Sequence, residues 1–233
     1  MKRDVLDRLQ AARAAKRPVA LVTDVKTGAQ ALLDGGDVSG DLSLSPVALA
    51  AVKKALADDK SGMSDVEGRP IFVQVFNPPL RMVVVGAVHI AQALAPMAAL
   101  TGYEVVIVDP RRAFATDARF PNTEVTTEWP DDALARLKPN RRTAIVTLTH
   151  DPKIDDPALQ AALKSDAFYV AALGSKKTHA ARLSRLKEAG FDEAATGRIH
   201  GPAGLSIGAK SPAEIALSIM GQATQILHGR DAG

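Results

Sequence analysis

The sequence predicts an α/β protein: a parallel sheet with helices on both faces, preceded by a smaller α+β N-terminal domain. Three observations predict it. From residue 81 onward, short β-branched apolar runs alternate with segments of helical periodicity. Those runs are apolar throughout, as strands covered on both faces are, and lack the alternation of a half-exposed sheet. Asn77-Pro78-Pro79 then separates this regular part from a less regular first third. The expected domains are 1–77 and 78–233.

Each element follows from local pattern. Val5, Leu6, Leu9 and Ala12 recur at helical spacing across residues 4–15. Val19 to Val25 reads as a strand, Ala29 to Leu33 as its partner, and Gly35-Gly36-Asp37 as a turn. Pro46 to Ala57 is helical, with Ser45 as its N-cap. Residues 58–69 are polar, and Ile71 to Phe76 is a strand. Beyond the prolines come strand Arg81–Val85, helix Ile90–Thr101, strand Glu104–Val108 and a weak strand Glu124–Thr127. Helix Asp131–Leu137, strand Thr143–Leu148, helix Pro157–Lys164 and strand Phe168–Leu173 continue the alternation. Helices Lys176–Ala189 and Pro212–His228 complete it.

Composition narrows the function. The 233 residues are 46% hydrophobic and 24% charged, ordinary for a soluble globular protein. A net charge of +3 is too mild to argue for nucleic acid or a membrane surface, and six Phe, two Tyr and one Trp make a poor base-stacking surface. The absence of cysteine excludes disulfides, thiolate metal sites and thiol catalysis, and fits a reducing cytoplasm. The polar start Met1-Lys2-Arg3-Asp4 has no apolar core for a signal peptide. Met82 to Tyr103 carries no Asp, Glu, Lys or Arg, yet His89, Gln92 and Pro96 interrupt it. It reads as a buried strand, a glycine turn and a packed helix, not a membrane span.

Five segments carry possible chemistry. Gly86-Ala87-Val88-His89-Ile90-Ala91 joins a buried strand to a helix, where a dinucleotide fingerprint sits in a Rossmann-like fold. Val88 stands where a middle glycine would let the backbone approach a pyrophosphate, so NAD(P) held in the usual manner is disfavoured; the other reading is a plain strand–helix turn. Asp109 ends the next strand, at a spacing that suits a carboxylate on ribose hydroxyls and equally suits a turn residue before Pro110. Arg111 and Arg112 either receive a phosphate or lie solvated.

Thr149-His150-Asp151 follows a strand at the carboxyl edge of the sheet, where His150 or Asp151 can contact a polar ligand or move a proton. Asp151, Asp155 and Asp156 resemble a hard-metal set, but Asp155 and Asp156 also suit a helix N-terminus, and no metal is expected. In Gly174-Ser175-Lys176-Lys177-Thr178-His179, Ser175 is a natural N-cap and two lysines oppose the helix dipole. A bound anion offsets that conflict, and this reading is preferred over two lysines merely tolerated in water. The glycine-rich run Arg198 to Ala209 either closes over a ligand or is a structural connection.

Taken together, these segments resemble the XdhC/CoxI family of accessory proteins of xanthine dehydrogenase and carbon monoxide dehydrogenase. The residues that carry the resemblance are Gly86-Ala87-Val88-His89, Val108-Asp109-Pro110-Arg111, Arg119-Phe120-Pro121, Thr149-His150-Asp151 and Ala172-Leu173-Gly174-Ser175-Lys176-Lys177-Thr178. Arg198-Ile199-His200-Gly201-Pro202, Gly204-Leu205, Ile207-Gly208-Ala209 and Pro212-Ala213-Glu214-Ile215-Ala216 complete the set, across roughly Pro79 to His228.

The resemblance implies a Rossmann-like C-terminal domain and a cytoplasmic chaperone that works by binding and handover. Its cargo would be molybdenum cofactor, as molybdopterin or its dinucleotide form, and its client a molybdenum hydroxylase apo-enzyme. A cysteine desulfurase and a second copy of the chain are further expected partners. The resemblance implies Asp109, His150, Gly174, Ser175 and Lys176 as cofactor contacts; Gly86, His89, Arg111, Asp151, Lys177 and His200 are further candidate contacts.

The N-terminal third departs from the family pattern. A Ser-Ser-Pro-Arg-rich stretch is missing, since Thr27-Gly28-Ala29 follows the first strand directly. Pro46 stands about where a Ser-Gly-Gly-Cys segment would place its cysteine, a soft ligand that proline cannot replace. The alternatives are a NAD(P)-dependent oxidoreductase and a non-binding scaffold for a molybdoenzyme.

Overall fold

The computed structural model describes residues 2–229, in two compact units that divide between Pro78 and Pro79. The first unit contains α1 (Arg3–Ala14), β1 (Val19–Asp24), β2 (Gln30–Asp34), β3 (Asp37–Gly40), α2 (Pro46–Ala57), β4 (Gly62–Val66) and β5 (Arg69–Phe76). Its strands form an antiparallel sheet in the order β3-β2-β1-β5-β4. Alternation in β1 decides the two faces. Ala20 and Val22 pack with Val52 of α2, while Val19 and Leu21 pack with Val5, Leu9 and Ala12 of α1. Ser45 caps α2 as expected, accepting from the Ala48 amide at 3.2 Å.

Strands β3 and β4 are not expected from the sequence. Each is the outer partner of a hairpin at a sheet edge. The β4–β5 hairpin turns through Glu67 and Gly68, both at positive φ (+55° and +76°), between the paired residues Val66 and Arg69. Two positive-φ residues match the twist of a two-residue hairpin, but Glu-Gly signals that turn far less than Asn-Gly does.

The second unit contains β6 (Leu80–Val85), α3 (His89–Leu100), β7 (Tyr103–Val108), β8 (Glu124–Thr126), α4 (Pro130–Leu137) and β9 (Thr143–Thr147). It continues with α5 (Pro152–Leu163), β10 (Tyr169–Ala172), α6 (Lys176–Glu188), α7 (Glu193–Thr196), β11 (Ile199–His200) and α8 (Pro212–Leu227). Its sheet is wholly parallel, in the order β11-β10-β9-β6-β7-β8. One face, with Met82, Val84, Ile107, Val146 and Ala171, is covered by α3 and α8. The other, with Val83, Val85, Val108, Ile145 and Val170, is covered by α4, α5 and α6. The charge-free stretch from Met82 to Tyr103 is therefore β6, a turn, α3 and the start of β7. Among the described residues no helix is long and apolar enough to cross a membrane.

Two readings need correction. Helix α5 begins at Pro152, not Pro157, because Asp151 caps it by accepting from the Lys153 amide at 2.9 Å and Pro152 fits the first helical position. Within the glycine-rich run, Ile199 and His200 form the edge strand β11 beside Val170 and Ala171. Helix α8 opens with a capping box, Ser211 bonded to the Glu214 amide and Glu214 to the Ser211 amide. Ser211→Ala is expected to cost about 1 kcal/mol of stability, read as a lower urea midpoint with an unchanged slope.

Candidate functional site

Parallel strands deliver their following loops to one edge. The register pairs Val85 with Val108 and with Thr147, Thr147 with Ala172, and Ala171 with His200. Gly86, Asp109, Thr149, Gly174 and Gly201 therefore all emerge at the carboxyl edge of this sheet. β6 lies between β7 and β9, so the chain reverses direction across the sheet beside Gly86. Open α/β sheets bind ligands at such a switch point.

Gly86 has φ +112°, and a Cβ there would lie 2.7 Å from Cγ2 of Thr149. The loop after β9 thus crosses directly over Gly86, and only glycine leaves it room. Val88 is the N-cap of α3, with no side-chain cap on the helix, and His89 is its exposed first residue. Asp109 is wholly buried. Its carboxylate accepts from the Ala87 amide at 2.8 Å, the Arg111 amide at 3.0 Å, and Arg111 Nε and Nη2 at 2.9 and 2.8 Å. Burial pushes its acidity down, but the bonds from Arg111 and Ala87 more than compensate and hold the carboxyl below the usual range. Both carboxylate oxygens are engaged here, so a ribose hydroxyl would have to displace Arg111.

Arg111 lies over the ring of Phe114 at 4.6 Å. Arg119 completes the loop: its guanidinium donates to the carbonyls of Ala87 (2.7 Å) and Phe114 (2.9 Å) and to Gln92 Oε1 (3.0 Å). The β7–β8 loop is thereby fastened to the start of α3.

His150 is exposed and sits at φ +62°. Asp155 holds that conformation, accepting from the His150 amide at 3.1 Å and from Thr149 Oγ1 at 2.6 Å. Asp155 is only 2% exposed, so it is not the solvated acid that its place near a helix start suggests. Burial raises its pKa, against the pull of Thr149 and Arg182. Asp156 pairs with Arg185. Among the described residues, no group of three or more His, Asp or Glu is placed to hold a metal ion.

The turn Leu173–Ser175 opens α6. Gly174 has φ +147°, where a Cβ would lie 3.2 Å from Thr178. Ser175 caps the helix, accepting from the Thr178 amide at 3.1 Å. Lys176 and Lys177 are exposed, and the first turn of α6 holds no acid. Beneath them Arg182, 2% exposed, donates to the Leu173 carbonyl at 2.8 Å. His200 is half-buried, its ring stacked on Tyr169 with centroids 5.2 Å apart, and burial lowers its pKa. Gln222 accepts from Tyr169 Oη at 2.7 Å and from the Gly204 amide at 2.9 Å, which fixes the glycine-rich loop.

Counted from β6, the strand order is 3-2-1-4-5-6, and the turns that carry the candidate residues gather at its carboxyl edge. This defines a doubly wound Rossmann-type domain. The chain belongs to the XdhC family: residues 82–223 match the XdhC Rossmann domain. It is 32% identical over 151 residues to the molybdenum cofactor insertion chaperone PaoD of Escherichia coli K12, covering 65% of this chain and 41% of that protein. Over 156 residues it is 30% identical to a protein of Bacillus subtilis 168 described as a probable xanthine dehydrogenase subunit, covering 66% and 45%. A crystal structure described as a xanthine dehydrogenase from Bacillus halodurans superposes with a TM-score of 0.72 at 25% identity, over 98% of this chain and 65% of that one. The chain spans less than half the length of the curated relatives it matches.

Proposed function

We propose that this chain is a molybdenum cofactor chaperone that assists maturation of a molybdenum hydroxylase of the xanthine dehydrogenase or carbon monoxide dehydrogenase type. The observation that carries the reading is the start of α6, where exposed Lys176 and Lys177 open an acid-free first turn at the same sheet edge that presents His150. The family membership and the likeness to PaoD support it. With no cysteine in the sequence, this chain has no thiolate to grip molybdenum. Its hold on the cargo falls to the phosphate or nucleotide part, which suits the dinucleotide form. Gly86, His89, Arg111, Asp151, Gly174 and Ser175 border that ligand, and Asp109 supports it through Arg111. His200 acts through the loop that follows it.

Lys176→Ala and Lys177→Ala are each expected to weaken binding of an anionic nucleotide about fivefold, roughly 1 kcal/mol per charge-assisted contact. Calorimetric titration at two salt concentrations checks this. Unchanged affinity in the double variant contradicts the reading. A pterin dinucleotide that co-purifies with the protein supports it, as does capture of a molybdenum hydroxylase apo-enzyme. Repeatedly empty protein that still captures that enzyme favours a scaffold, and robust NADH oxidation with a small carbonyl compound favours an oxidoreductase.

A further inference from the structure

Asp155 and Arg182 are both 2% exposed, and neither sits at the ligand edge itself. They face each other between α5 and α6, with Arg182 Nη2 3.8 Å from Asp155 Oδ2. Each also reaches a different loop. Asp155 accepts from the Thr149 hydroxyl and amide and from the His150 amide, all in the loop after β9. Arg182 donates to the carbonyl of Leu173, the residue that leads into Gly174 and Ser175 after β10. Asp156 and Arg185 also pair across these two helices, but the Arg185 side chain is 38% exposed, so that pair lies nearer the surface.

As a stabiliser the buried pair is poor. Its separation exceeds hydrogen-bonding distance, and Arg182 Nε and Nη1 are buried without a partner. Burial lowers the pKa of Arg182 and raises that of Asp155, so neither charge is well compensated. The register places Thr147 on the same sheet face as Ile145, toward α5 and α6, and its hydroxyl is also buried and unpartnered. What the pair does well is geometric: it links one loop to the other through two rigid helices.

We propose that Asp155 and Arg182 are positioning residues that couple the loop bearing His150 to the turn bearing Ser175, so that both are presented to one anionic ligand at a fixed separation. The ligand side of this statement rests on the function proposed above; the coupling of the loops does not. A ligand that touches both loops binds tightly only if their spacing is set beforehand.

The test uses Asp155→Asn and Arg182→Met in the full chain, with amide hydrogen exchange and calorimetric titration of inorganic pyrophosphate. In Asp155→Asn the amides of Thr178 and His179, which bond to Ser175, are expected to exchange about tenfold faster, although Asp155 bonds to neither. In Arg182→Met the same is expected at residues 149–151, although Arg182 bonds to none of those. Purely local roles loosen only the loop each residue touches, and that result overturns the proposal. Pyrophosphate affinity is expected to fall about tenfold in either variant, with no further loss in the double variant, because the two act as one device.

Thr149→Val, which removes the hydroxyl's bond to Asp155 and its acceptance from the Asp151 amide but keeps both charges, serves if a charge variant fails to fold. Its expected result is faster exchange at Thr178 and His179 with circular dichroism unchanged, and unaltered exchange there overturns the proposal. Parent protein that binds no pyrophosphate refutes the anion site above, while the exchange data still decide the coupling.

Discussion

Asp109→Asn is expected to cost about 2–3 kcal/mol of stability at neutral pH, and that cost is expected to disappear in acid. The carboxylate is wholly buried and accepts four hydrogen bonds, two from the Arg111 guanidinium and one each from the Ala87 and Arg111 amides. Removing one partner of a buried ion pair costs about 3–5 kcal/mol, because the other charge is stranded. Here the side chain of Arg111 is 35% exposed and can turn to water, which places the expectation below that range.

The pH dependence has a definite sign. Arg111 and the two amides overcome the burial penalty and hold the folded carboxyl below its unfolded value of about 3.9. The stabilisation is therefore complete above that unfolded value and is lost as pH falls through the folded one. Urea denaturation of parent and variant should differ most near pH 7 and converge as the parent's carboxyl takes up its proton. A gap that stays constant down to about pH 2 would mean that shape, not charge, is what Asp109 supplies.

Much of the second unit is readable in the sequence because burial on both faces leaves a strong trace: β6, β7 and β9 are near-continuous apolar runs, and the glycine turn after β6 marks where the helix begins. The less legible parts have specific physical causes. Asp155 looks like a solvated helix-start acid while Pro157 is the apparent start of α5. With the start at Pro152, Asp155 falls in the stripe Ile154, Asp155, Ala158, Leu159 and Ala162, which faces the sheet. An acid in an apolar stripe is the signal that becomes available once the start is placed correctly. Arg182 carries the same signal, standing in α6 one turn before buried Leu186. The Asp109–Arg111 pair is different, since residues two apart in a loop obey no helical or strand period. Its geometry depends on the turn, which sequence pattern does not specify. β4 and β11 are short edge strands, and their few ladder bonds demand little of side-chain type.

Gly86→Ala is expected to cost roughly 3–4 kcal/mol of stability. Two costs combine there. The residue sits at φ +112°, where a side chain is strained by about 1–3 kcal/mol. The new Cβ would also fall 2.7 Å from Thr149 Cγ2 and 3.2 Å from the Thr149 amide nitrogen, and overpacking of that kind costs about 1–3 kcal/mol. Gly102→Ala separates the two. It has φ +88° but nothing within 4 Å of its Cβ position, so it carries backbone strain alone, about 1 kcal/mol.

The difference between the variants then measures the collision with the loop after β9. That loop cannot yield freely, because Thr149 and His150 are bonded to buried Asp155. Anionic nucleotide affinity should therefore fall in Gly86→Ala and stay at the parent value in Gly102→Ala. Equal destabilisation by the two would show that backbone conformation alone makes Gly86 necessary, and that the crossing of Thr149 over the β6 turn exerts no pressure on the ligand edge.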